Sequence, residues 1–330
     1  MLQVTFMYFF TGLAKVNPFW LSGDATEYAL YLEMSVRPLG SWLSQFSTVL
    51  WCVTLIVLIA ELLTLFLLFI PRFHSFSRGM FMGFFWMMHL GIWLTMSIGL
   101  FSLTAMVAWV VFVPGNVWNT FFGKPVVFSS KNYQQKQDGF TRVSQVVCGV
   151  FLAYIVLQNI VSCFGPGVAN RLRPLQRFGE TTMTIQQFHM FAKPPLFSPW
   201  FEYPAELRSG ARVDLFNDRH KRIGKKPESV FRYMKNQTWR RLHWNLITHP
   251  LYPPENESVY LEIRYRLLHA IIDDWNAEHF EDPVIKAELK CHLEPINLPR
   301  INPGDRASFA NHENYDLVWA SFEGAGSLRR

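Results

Sequence analysis

Apolar residues fill long unbroken stretches in the first half of the chain and recur at short periods in the second. Residues 48–70 (TVLWCVTLIVLIAELLTLFLLFI) supply the roughly 20 positions that a helix needs to cross a bilayer, and Pro71-Arg72 closes them. Residues 79–113 run for 35 positions without a Lys, Arg, Asp or Glu. As a single helix they would extend about 52 Å, so one span leading into a further helix is expected, with a joint near Ser97-Ile98-Gly99. Residues 143–163 are a third spanning run. Leu2 to Ala14 is shorter, about 20 Å as a helix, and ends at Lys15. An amphipathic stretch from Asp24 to Ser47 and a polar loop from Lys124 to Arg142 lie between these runs.

After Gly165-Pro166-Gly167 the periodicity shortens. Tyr203 to Leu207 and Ala211 to Phe216, joined at Ser209-Gly210, predict a β-hairpin with a glycine turn. Glu228 to Ile247 predicts a helix with Phe231, Met234, Leu242 and Leu246 apolar and with Lys235, Arg240 and Arg241 exposed. A second helix starts at a cap on Asn256 or Ser258 and runs to about His279, and the alternation Leu289, Cys291, Leu293 marks a strand. The expected fold is a polytopic α-helical membrane domain, residues 1–164, followed by a small soluble α+β domain, residues 165–330.

Charge supports that division. Residues 1–164 carry 8 basic and 5 acidic side chains, whereas 165–330 carry 23 and 20. With 50% of the whole chain hydrophobic and 17% charged, a disordered, collagen-like or coiled-coil protein is excluded. The net charge of +6 is spread among acids rather than gathered in a stripe, so no nucleic-acid partner is expected, and the lipid bilayer is. Loop 71–78, with Arg72 and Arg78, is expected inside, and the segment with Asp24, Glu27 and Glu33 outside. Cys52, Cys148 and Cys163 fall in apolar runs, where a small buried hydrophobe is expected. No cysteine or histidine ligand spacing occurs, so no metal is expected. Asp218-Arg219-His220 and Asp273-Asp274 read as charged surface.

Within apolar segments an ionisable group costs roughly 2.5–3.5 kcal/mol and requires a reason to be there. Lys15, Glu61 and His89 are such groups. One reading is a buried polar pocket in which a desolvated Lys15 works as a neutral general base, oriented or relieved of its proton by Glu61 and His89. The other is that Lys15 reaches to the interface while Glu61 and His89 bond to each other or to backbone carbonyls. Phe84, Phe85, Trp86, Trp93, Trp109 and Trp118 suit either a quinone-like pocket or lipid-facing belts.

The order Tyr8-Phe9-Phe10-Thr11-Gly12-Leu13-Ala14-Lys15, then Trp20 and Gly23, resembles the signature of vitamin K-dependent gamma-glutamyl carboxylase and its prokaryotic relatives, which share the horizontally transferred transmembrane (HTTM) domain. Glu61 before Pro71, His89 before Ser97-Ile98-Gly99-Leu100-Phe101-Ser102, and in the tail His189-Met190-Phe191, Arg212-Val213-Asp214-Leu215 and Asn236-Gln237-Thr238-Trp239-Arg240-Arg241 fit in the same order. The resemblance implies a multi-pass integral membrane protein, in the inner membrane for a bacterial member. It also implies hydroquinone-coupled carboxylation of a glutamate in a protein or peptide substrate. Reduced vitamin K, oxygen and carbon dioxide would be the co-reactants, Lys15 the base, and Glu61 and His89 pocket residues. Only 14 residues precede Lys15, so helices that the family carries upstream of this motif are expected beyond Met1. The alternative is a non-catalytic, membrane-anchored scaffold that binds lipid or a partner.

Overall fold

A long apolar run satisfies its backbone groups within itself as a helix, and among the described residues the first half of the chain is mostly helical. The structure is a computed structural model that describes residues 1–68, 74–113, 115–123, 138–163, 173–182, 191–217, 223–251, 257–296 and 315–323. The helices in chain order are α1 (Leu2–Ala14), α2 (Pro18–Leu21), α3 (Ala25–Leu30), α4 (Pro38–Leu43), α5 (Ser47–Leu67), α6 (His74–Thr95), α7 (Phe101–Trp109), α8 (Gly115–Phe122), α9 (Asp138–Cys163), α10 (Arg173–Thr182), α11 (Val230–Tyr233), α12 (Gln237–Leu251) and α13 (Glu257–Glu278). The strands are β1 (Phe197–Glu202), β2 (Pro204–Leu207), β3 (Arg212–Asp214), β4 (Val284–Pro295) and β5 (Tyr315–Glu323). The protein is thus mostly helical, with a small antiparallel sheet in its C-terminal part.

The expected joint in the 35-residue run is present: α6 stops at Thr95, and α7 starts at Phe101 after Gly99, whose φ is +73°. Among the described residues two helices are long and apolar enough to cross a membrane, Ser47–Leu67 and Arg142–Ile160. Leu2–Ala14 and Phe101–Phe112 are apolar but shorter. Cys52 and Cys148 are exposed on α5 and α9 rather than buried. Helices as apolar as these carry no polar face, so composition does not tell their inner from their outer positions. Loop residues 124–137, Pro71-Arg72, Gly165-Pro166-Gly167, His189-Met190, Asp218-Arg219-His220 and Asn256 lie outside the described residues. Asp273 and Asp274 are exposed, as expected.

The chain falls into two compact units, and they are not divided by a single cut near residue 164. One comprises Met1–Thr26, Thr48–Ile92 and Leu100–Pro194; the other comprises Glu27–Ser47, Trp93–Gly99 and Pro195–Arg330. The amphipathic segment and the α6–α7 joint therefore belong with the tail, where Met34 is packed into the same core as the sheet.

In that second unit β4 is the spine. Its alternating Ala287, Leu289, Cys291 and Leu293 are buried. It pairs with β5 along one edge and with β1 and then β2 along the other. Phe197 through Glu206 keep one register against β4, so β1 and β2 are successive parts of one interrupted strand. The expected hairpin is β2 and β3, with Pro204 opposite Asp214. The helix expected over Glu228 to Ile247 is broken: Lys235 takes a left-handed φ of +49°, and the Asn236 side chain accepts from the Trp239 N–H to begin α12. That restart rotates Arg240 inward, and it is buried instead of exposed.

His243 on α12 is fully enclosed. Its Nδ1 lies 2.8 Å from the Trp239 carbonyl oxygen, which can only accept, so Nδ1 holds the proton and Nε2 accepts from the Tyr203 hydroxyl at 2.5 Å. Burial lowers its pKa to about 4. The unfolded chain, near the ordinary value of about 6.5, therefore binds a proton that the folded one refuses between those values. His243 leaves stability intact above pH ~6.5 and withdraws roughly 3 kcal/mol as pH falls towards 4. Denaturant unfolding across that window should show the loss in the wild type and a flatter profile in His243→Gln; parallel profiles would contradict it.

Candidate functional site

The close approach of α1 to α5 sets the geometry of the site. Gly12 makes it possible: a Cβ there would lie 3.0 Å from Glu61 Cβ and 3.2 Å from the Leu62 nitrogen. One turn later Lys15 Nζ meets Glu61 Oε1 at 2.5 Å, with side chains 5% and 3% exposed. The Lys15 ammonium also lies 4.5 Å from the centroid of the Trp20 ring, a cation–π contact.

Two turns before Lys15 on the same helix, Tyr8 shares a hydrogen bond of 2.5 Å with His89 Nε2 on α6. Phe85 and Trp109, both without exposure, stack at 4.5 Å, and the Tyr8 ring lies 4.3 Å from the first and 5.2 Å from the second. Tyr8 and Lys15 stand two turns apart on one side of α1, so the Tyr8–His89 and Lys15–Glu61 pairs adjoin along that helix as one cluster of four polar groups. Glu61 Oε2 and His89 Nδ1 are buried with no hydrogen-bond partner. Buried polar atoms are seldom left so, and each retains capacity for a further donor or acceptor.

Residues 191 and 192 border this cluster. The Trp20 Nε1–H donates to the Phe191 carbonyl at 3.0 Å, and Asn17 Nδ2 donates to the Ala192 carbonyl at 2.8 Å. The Phe191 ring lies 5.4 Å from Phe101, itself 5.4 Å from the His89 ring, and Phe191 holds a φ of +59° to do so.

Lys15, Glu61 and His89 are therefore brought together. Lys15 does not reach out to an interface, and Glu61 pairs with it rather than with His89. Of the aromatic residues considered, Phe85 and Trp109 are enclosed beside the cluster, while Trp86, Trp93 and Trp118 are exposed. Tyr8 was not singled out by sequence, because a tyrosine in an apolar helix is ordinary; its spacing of seven from Lys15, two turns on one face, is the signal that could have found it. Among the described residues no group of three or more His, Cys, Asp or Glu side chains could hold a metal ion. No protein-family model, no curated protein and no solved structure matches this chain.

Proposed function

We propose that the Lys15–Glu61 and Tyr8–His89 cluster is a proton-transfer site of an integral, multi-pass membrane protein that acts on a lipid-soluble hydroquinone, as in gamma-glutamyl carboxylation. The buried Lys15–Glu61 pair with spare capacity at Glu61 Oε2 and His89 Nδ1 carries this reading. An ion pair that served structure alone would use both carboxylate oxygens, since an unsatisfied buried acceptor costs about 1–3 kcal/mol. The exposed apolar side chains of α9, such as Val143, Val146 and Val150, support a lipid environment.

The unpartnered Glu61 Oε2 and His89 Nδ1, with the Phe101 ring 5.4 Å from the imidazole, suit the hydroxyl of a phenolic ring. Reduced vitamin K, when bound, supplies with oxygen a base strong enough to take the γ-proton of a substrate glutamate, and carbon dioxide then traps the carbanion. The protein's own part is smaller. Lys15 Nζ passes a proton to Glu61 Oε1 across their 2.5 Å contact and becomes a neutral amine. That amine accepts the phenolic proton, with Tyr8 and His89 orienting the hydroxyl and Trp20 excluding water.

The test is incorporation of labelled carbon dioxide into a Glu-containing peptide by the protein in lipid nanodiscs with reduced vitamin K. Loss of a general base lowers the rate by about 10²–10⁴-fold, and Lys15→Ala should do so. A silent wild type, or an equally active alanine variant, would leave the scaffold reading in its place.

A further inference from the structure

A second cluster, in the other unit, has a charge problem that the proton-transfer reading does not touch. Arg240, in the first turn of α12, is 7% exposed. Its Nη2 donates to Ser97 Oγ at 3.0 Å and to Gln237 Oε1 at 3.4 Å, and its Nη1 donates to the Phe231 carbonyl at 3.4 Å. Its Nε is buried without a partner. The guanidinium carbon sits 4.3 Å from the Phe231 ring centroid. All of these partners are neutral, and among the described residues no carboxylate pairs with Arg240.

The charge that bears on Arg240 is another cation, Arg37, whose guanidinium lies over Trp93 at 5.5 Å and has no ion pair among the described residues. Burial and that like charge both push the Arg240 pKa below the ordinary arginine value, yet a guanidinium stays protonated in a protein. The helix adds to the imbalance: the first turn of α12 carries the positive end of its dipole, which disfavours a cation and attracts an anion. The Arg37 N–H donates to the Thr95 carbonyl at 2.8 Å and the Ser97 N–H to the Ser35 carbonyl at 2.7 Å, which sets the Arg37 backbone beside Ser97, the hydroxyl that Arg240 meets in the first turn of α12. Arg240 is nine-tenths buried with a donor to spare, and among the described residues neither arginine has an ion pair. A buried unpaired charge is strongly destabilising, so the arrangement is explained by what it binds.

We propose that Arg240 and Arg37, with Ser97 and the first turn of α12, form a binding site for a phosphoryl group. Arg240 Nε and the Arg37 fork supply planar donors suited to phosphate oxygens, and the Ser97 hydroxyl, now given to Gln237 at 2.8 Å, is free to turn. A phosphoryl dianion matches two guanidinium charges where a single carboxylate leaves a surplus. Phe231, on which Arg240 stacks, also lines a cavity of about 530 Å³ together with Val36 and Pro38, the chain neighbours of Arg37. The remainder of a phosphorylated ligand has space there. The phosphoryl group could come from a soluble phosphate ester or from a lipid headgroup, and the chemistry at the arginines is the same.

The experiment uses the full chain in an uncharged, phosphate-free detergent at constant ionic strength, with thermal unfolding as the readout. One arm adds inorganic phosphate; the other adds phosphatidic acid to the micelles. The wild-type midpoint should rise saturably in at least one arm, and the half-saturating concentration should increase about tenfold or more in Arg240→Gln and in Arg37→Gln. A response to inorganic phosphate assigns a soluble source, and a response to phosphatidic acid alone assigns a headgroup. The half-exposed Arg37→Gln carries the comparison if Arg240→Gln does not fold. No shift in either arm, or equal shifts in wild type and variants, overturns the proposal.

Discussion

Lys15→Met will destabilise the protein by about 3–5 kcal/mol, and Lys15→Met combined with Glu61→Leu will recover most of that loss. The asymmetry follows from burial. Lys15 and Glu61 are 4% and 2% exposed, so removing the ammonium leaves a carboxylate with one oxygen already unpartnered and the other newly so. Removing both leaves an apolar contact between α1 and α5, which an apolar setting accepts. Denaturant unfolding in detergent of the wild type, both single variants and the double variant would measure the coupling. A double variant no more stable than Lys15→Met would show that the two side chains do not act as a pair. The same cycle separates structure from the proposed chemistry: the double variant should regain stability and, on that proposal, incorporate no carbon dioxide.

Which parts of this arrangement could be read in the sequence depended on how costly each residue looks in its own segment. Lys15, Glu61 and His89 stand out because an ionisable group within an apolar run demands an explanation, and the three do converge. Their pairing was not legible, since nothing in a linear spacing of 46 residues says that Gly12 lets α1 and α5 approach closely enough for Lys15 to meet Glu61. Arg240 shows the opposite difficulty. Beside Arg241 in a polar helix it looks like ordinary solvated surface, and only the restart of the helix at Asn236 turns one of the two inward. Strand β1 was missed for a local reason. Phe197–Glu202 has no alternation, being buried throughout, and it contains Pro199. That proline is tolerated because β1 pairs only with β4 among the described strands, so the other edge needs no N–H there. The amphipathic segment Asp24 to Ser47 reads as part of the membrane half by its neighbourhood in sequence, whereas Met34 and the bond from Lys226 to Glu33 at 2.8 Å tie its Glu27–Ser47 portion to the tail.

Gly23→Ala is expected to cost about 2–5 kcal/mol, the sum of a left-handed backbone forced on a residue with a Cβ and of overpacking. Gly23 holds a φ of +85°, and a Cβ there would overlap the Trp51 indole, whose Nε1–H donates to the Ser22 carbonyl at 3.0 Å. The indole cannot move away without losing that bond. The two contributions are separable because Trp51 is 39% exposed and can be shortened without opening the core. In a Trp51→Ala background the overlap is gone, and Gly23→Ala should retain only the conformational cost of about 1–2 kcal/mol. A cost for Gly23→Ala within about 0.5 kcal/mol of zero in the wild-type background would mean that the turn is not held as described. The consequence reaches the site, because the turn at Gly23 ends the short segment that holds Trp20 against Lys15. The Gly23 N–H bonds to the Trp20 carbonyl at 3.2 Å, and the Asp24 N–H to that of Phe19 at 3.1 Å. Displacing the turn should loosen the indole from the Lys15 ammonium and admit water beside the proposed base, whose proton transfer a dry face favours. On the proposed function, Gly23→Ala should therefore lower the rate of labelled carbon dioxide incorporation more than its loss of folded protein accounts for, while Trp51→Ala alone leaves that rate close to the wild type's.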